Sequence, residues 1–92
     1  MSNQVRLRCE FHGRVQGVGF RFTTVHLAAG FRVTGFVRNL ANGGVELVAE
    51  GEKTEVQRFV AALRARMAGY IHRAEETWGP ATGEFSGFRI AH

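Results

Sequence analysis

Apolar and polar residues alternate strictly from residue 4 to residue 12. Val5, Leu7, Cys9 and Phe11 point one way, while Gln4, Arg6, Arg8, Glu10 and His12 point the other. A period of two predicts a half-buried strand. The period then changes. Phe22, Val25, Ala28 and Ala29 recur near helical spacing, which predicts a helix over 20–31 that weakens at Gly30. Strands are predicted next over 33–39 and 44–50. Asn42-Gly43 between them is a hairpin signal, because both residues tolerate positive φ. In the second of these strands Val45, Leu47 and Ala49 alternate with Glu46, Val48 and Glu50.

The most regular helical pattern covers 53–67, where Val56, Phe59, Val60, Leu63 and Met67 share one face. Thr54 and Gln57 have the spacing of a capping box. Residues 70–78 read as a fourth strand, broken at Gly79-Pro80, and 85–90 can supply a short last one. The order β-α-β-β-α-β, with a possible short fifth strand, predicts an α+β fold: a ferredoxin-like split βαβ sandwich. Two helices should cover one face of a mainly antiparallel sheet. Arg6, Arg8 and other polar residues should occupy the opposite face.

Composition narrows the class. Ninety-two residues fit one small domain spanning 1–92. The chain is 45% apolar and 22% charged, which favours folding over disorder. One cysteine, Cys9, excludes an internal disulfide framework, and its apolar-side position reads as core rather than reactive thiol. A reducing, cytoplasmic setting is the simplest reading. No apolar run reaches the ~18 residues of a membrane span, and the first residues lack a leader's apolar stretch. The net charge of +4 favours anionic partners, phosphates foremost. The arginines are scattered, so charge alone fits an RNA, a small phosphate ester or a solvated surface.

One segment concentrates the candidate chemistry. Gly13-Arg14-Val15-Gln16-Gly17-Val18-Gly19-Phe20-Arg21 places three glycines and two arginines between a predicted strand and a predicted helix. Glycines let backbone N–H groups approach a ligand, and a helix N-terminus attracts anions. Arg21 falls in the first helical turn, where a cation opposes the helix dipole unless an anion is held there. The segment fits neither a P-loop nor a dinucleotide fingerprint: no lysine follows Gly19, and Phe22 stands where a third glycine would be.

This loop resembles the first acylphosphatase signature. Gly35-Phe36-Val37-Arg38-Asn39-Leu40 followed by Gly43-Gly44-Val45-Glu46 resembles the second, and the likeness extends to the closing Gly87-Phe88-Arg89-Ile90. The resemblance implies hydrolysis of the carboxyl–phosphate anhydride of small acyl phosphates, with no metal or organic cofactor. It assigns phosphate binding to Arg21 and to the loop Arg14, Val15, Gln16, Gly17, Val18 and Gly19. It assigns the positioning of the attacking water to Asn39. Inorganic phosphate or sulfate would be the product-like ligand. The chain departs from the family's pattern at Phe31-Arg32-Val33, so either the first helix ends early or Arg32 is left-handed. Phe36 replaces a frequent tryptophan, and Leu40 replaces a hydroxyl residue found in some members.

Elementary chemistry agrees with these roles. A guanidinium can grip two phosphate oxygens, and phosphoryl transfer is catalysed mainly by positioning and electrostatics. An asparagine amide can donate to and accept from a water but is no base, so the proton should pass to phosphate or solvent. Arg14 reads either as part of the loop's field or as solvated, Arg38 and His12 as surface, and Trp78 as partly buried packing. His12, His26, His72 and His92 show no ligand spacing, so no metal site is expected. Glu75 and Glu76 should face opposite ways. Two other functions compete: a phosphate-binding regulatory domain without turnover, and a single-stranded RNA-binding module, whose strand motif Thr34-Gly35-Phe36-Val37 resembles only in part and whose stacking aromatics are replaced by arginines on the polar face of the first strand. Neither nucleic acid nor membrane is expected as a partner, and the length points to a free-standing monomer.

Overall fold

The computed structural model describes residues 4–92; Met1–Asn3, on which the reading of the N-terminus partly rests, lie outside the described residues. The elements are β1 (Gln4–Gly13), α1 (Phe20–Ala28), β2 (Thr34–Asn39), β3 (Val45–Glu52), α2 (Lys53–Arg66), β4 (Ile71–Pro80) and β5 (Phe88–Ile90). They form one sheet in the order β4-β1-β3-β2-β5. β3 is central; β1 beside it is antiparallel to β3 through Cys9 opposite Leu47 and to the edge strand β4 through Glu10 opposite Glu75. β2 runs antiparallel to β3 and parallel to β5. β1 and β2 therefore run in the same direction with β3 between them, the split βαβ that the element order predicts.

The core follows from the alternation. Leu7, Cys9 and Phe11 of β1 and Val45, Leu47 and Ala49 of β3 are buried beneath the helices. Val56, Phe59, Val60 and Leu63 of α2 close over them. Phe59 meets Phe88 at 5.4 Å and Phe31 at 5.8 Å, joining α2 to the end of the chain and to the segment after α1. Gly35 marks a close approach between strands: a Cβ there would lie 1.8 Å from the Val48 carbonyl oxygen.

Several local expectations change. The buried face of α1 is Phe20, Thr24 and Ala28, not a face containing Phe22 and Ala29. Phe20, the first helical residue, packs on Phe11 at 5.2 Å and so sets the helix phase. Two residues further on, a rotation of about 200° carries Phe22 outward. The helix ends early, at Ala28, and among the described residues no non-glycine has positive φ, so Arg32 is not left-handed. α2 starts one residue before Thr54, with Glu52 at its N-cap and no side-chain capping bond, so the capping box does not form. β4 runs through Gly79 and Pro80 instead of stopping before them. An edge strand tolerates proline. The hairpin closes through Leu40 N–H to Gly44 O at 2.8 Å, and only Gly43 of the Asn42-Gly43 pair takes positive φ.

The helix-free face is polar, but part of it is covered. Residues 81–87 cross it before β5. The Glu50 carboxylate, 3% exposed, accepts from Thr82 N, Thr82 Oγ1 and Gly83 N at 2.9–3.0 Å. Phe85 lies against Phe36 and beneath the Arg6 guanidinium. The aromatic that an RNA-binding face would need is thus already covered.

Candidate active site

The site lies at the C-terminal ends of β1 and β2, the two strands that flank the start of β3. A turn of strand β1 into helix α1 supplies the loop, and the last residue of β2 supplies Asn39. Val15, Gly17, Gly19, Phe20, Arg21, Phe22 and Asn39 line one cleft of about 180 Å³. Arg21 and Asn39, 18 positions apart in sequence, therefore face the same space. They carry the only polar side chains in that lining.

The loop is built to present N–H groups. Gly17 and Gly19 both have φ near +77°, and a Cβ on either would meet nothing within 4 Å. The left-handed turn at Gly19 starts α1 with no side-chain cap and no acidic residue in its first turn. Val15 anchors the loop by burying its side chain in the core. Arg14 differs from the rest of the loop: its amide already donates to Tyr70 O at 2.9 Å. The amides of residues 15–19 donate to no protein acceptor among the described residues. The Gln16 side chain is not among those lining the cleft and acts as a brace. Its Nε2 donates to Leu40 O at 2.8 Å and to Gly44 O at 2.9 Å, fixing the loop against the β2–β3 hairpin. The sequence gives this residue a place in the loop but no signal of its partners, which lie 24 and 28 positions away.

Two features make the cleft receptive, one to an anion and one to a water. Most arginines of this chain are ion-paired, among them Arg6, Arg8, Arg38 and Arg64. Arg14 and Arg21, which flank the loop, have no carboxylate within 4.0 Å among the described residues. The Asn39 Oδ1 atom is buried and accepts no hydrogen bond among the described residues. A buried acceptor of this kind calls for a donor, and a water can serve.

The family model for acylphosphatase matches residues 7–90. This chain belongs to the acylphosphatase family. It is 44% identical to an acylphosphatase of Arthrobacter sp. over 92 residues, covering 99% of this chain and 84% of that one. With an acylphosphatase of Paenarthrobacter aurescens it shares 44% over 87 residues, covering 94% and 93%. The crystal structure of acylphosphatase from Bacillus subtilis superposes with a TM-score of 0.86 at 29% identity, covering 96% of this chain and 99% of that chain. The fold and the two signature segments of this acylphosphatase therefore agree.

Other titratable groups lie outside the cleft. Strand pairing brings Glu10, His12 and Glu75 together on the helix-free face, a juxtaposition that sequence spacing does not reveal. His12 Nε2, buried and without a hydrogen-bond partner among the described residues, lies 3.4 Å from Glu10 and 3.3 Å from Glu75, while Arg8 bonds Glu10 and Arg73 approaches Glu75. Burial by itself would raise the pKa of Glu46. The two 2.6 Å bonds from Arg38 and Arg8 outweigh it and hold the carboxyl below its ordinary value. Arg38 is thus a paired rather than an idle surface residue. Trp78 is partly exposed and donates to Glu76.

Proposed function

We propose that this chain hydrolyses small acyl phosphates, with Arg21 and the amides of residues 15–19 holding the phosphoryl group and Asn39 positioning the water. The observation that carries the reading is one cleft that joins the arginine of the first signature to the asparagine of the second. The guanidinium and the N–H array face charge on the equatorial oxygens, where it is spread in the transition state. Asn39 Oδ1 accepts from the water and aims its oxygen at phosphorus. The P–O bond to the acyl group breaks as the new P–O bond forms, and the carboxylate leaves with the electron pair. The water's proton passes to a phosphate oxygen or to solvent, because the cleft lining contains no carboxylate or imidazole. Residues 1–92 act as one domain, monomeric and cytoplasmic; a single buried, unpaired cysteine fits that compartment.

The test is hydrolysis of benzoyl phosphate with a chelator present, by wild type, Arg21→Ala and Asn39→Ala. Loss of a transition-state donor costs on the order of 10²–10³ in kcat, and each variant should lose at least that much. Asn39→Ala should still be inhibited by inorganic phosphate. Well-folded wild type that turns nothing over would overturn the reading in favour of phosphate binding alone.

A further inference from the structure

Phe22 is 73% exposed, the most exposed large apolar side chain among the described residues. The chain has eight phenylalanines. Phe11, Phe20, Phe31, Phe36, Phe59, Phe85 and Phe88 each contact another aromatic ring, and Phe22 contacts none among the described residues. It nevertheless lines the cleft of Arg21 and Asn39. Long side chains on a helix lean toward its N-terminus. Phe22, in the first turn of α1, therefore leans toward the loop rather than away from it. Gly17 and Gly19 put no side chain in its way, and a Cβ on either would meet nothing within 4 Å.

We infer that Phe22 is the specificity-determining contact for the acyl half of the substrate, favouring flat aromatic acyl groups over small aliphatic ones. The inference rests on the phosphate site proposed above. With the phosphoryl group held by Arg21 and the loop, the carboxyl carbon is one bridging oxygen from phosphorus and its substituent must leave the cleft past the rim. Phe22 forms that rim. Its ring gains contact and loses exposed apolar surface only when an apolar acyl group lies on it. An acetyl group is too small to cover it.

The experiment compares benzoyl phosphate with acetyl phosphate on wild type, Phe22→Ala and Phe22→Tyr. In Phe22→Ala the benzoyl-over-acetyl ratio of kcat/KM should fall about tenfold, the size of one aromatic contact, mainly through KM for the benzoyl compound. Phe22→Tyr should keep the ratio. A ratio unchanged in Phe22→Ala overturns the inference. So does an equal loss on both substrates together with lost inhibition by inorganic phosphate, which would make Phe22 a support of the loop. Calorimetric binding of benzoylmethylphosphonate against acetonylphosphonate separates the two readings. Wild type that binds the aromatic phosphonate more tightly, in a Phe22-dependent way, but hydrolyses neither substrate supports Phe22 and overturns the catalytic assignment. Equal binding of both phosphonates by wild type overturns the role of Phe22 whatever the turnover.

Discussion

Cys9 separates a residue's reactivity from its abundance. It is the one thiol of the chain, and burial in the sheet core pushes its pKa up to about 12. The thiolate is the nucleophile, so almost none exists at neutral pH. Native protein should resist iodoacetamide at pH 7.5 and react once unfolded in urea, as read by mass spectrometry; rapid labelling of the native form would contradict this burial. Side-chain chemistry was otherwise legible where a motif carried it. Arg21 and Asn39 were found from the two signatures, and the structure brings both to one cleft. Phe22 was misplaced, because periodicity alone gives the spacing of a helix but not its rotation. That rotation is set by the contact of Phe20 with Phe11, which sequence spacing does not contain.

Among the elements, the loop depends on a brace outside it. Gln16→Ala removes two hydrogen bonds to the β2–β3 hairpin. At ~0.5–1.5 kcal/mol net for each bond, urea unfolding should show a loss of about 1–3 kcal/mol. The affinity for inorganic phosphate should fall in the same variant, because the amides of the loop are no longer fixed. Phe59→Ala strips α2 of its contacts to Phe31 and Phe88 and should cost about 3–5 kcal/mol by the same measurement, with the remaining folded fraction keeping its phosphate affinity. Both helices, the hairpin and the strands were legible from period and turn residues. The crossing of residues 81–87 over the open face was not. Its anchor, Glu50, reads in sequence as one more polar position of an alternating strand, and its partners lie 32 and 33 positions away.

For the molecule as a whole, acid is the condition that exposes the polar face. Burial works to raise the Glu50 pKa, but hydrogen bonds from Thr82 and Gly83, with Arg6 nearby, lower it, as Arg38 and Arg8 lower that of Glu46. A carboxylate with a depressed folded-state pKa contributes its full stability above the ordinary value of 4.5. It loses that contribution as pH falls through the folded-state value. Thermal midpoints should therefore decline below about pH 4.5, and Glu46→Gln with Glu50→Gln should make the decline shallower while lowering the midpoint at pH 7. Hydrolysis should show no limb in the imidazole range near pH 6.5, since no histidine lines the cleft.

The split βαβ arrangement, which the element order predicts, has a consequence for how the protein comes into being. Every residue proposed to touch the phosphoryl group lies within the first 39 positions, yet β1 and β2 are not neighbours. β3 must insert between them before Asn39 can face the loop. A growing chain therefore holds the complete list of reactive groups long before it holds an enzyme. The onset of turnover during refolding marks the insertion of β3 between β1 and β2, which makes the reaction a clock for a non-local step of folding.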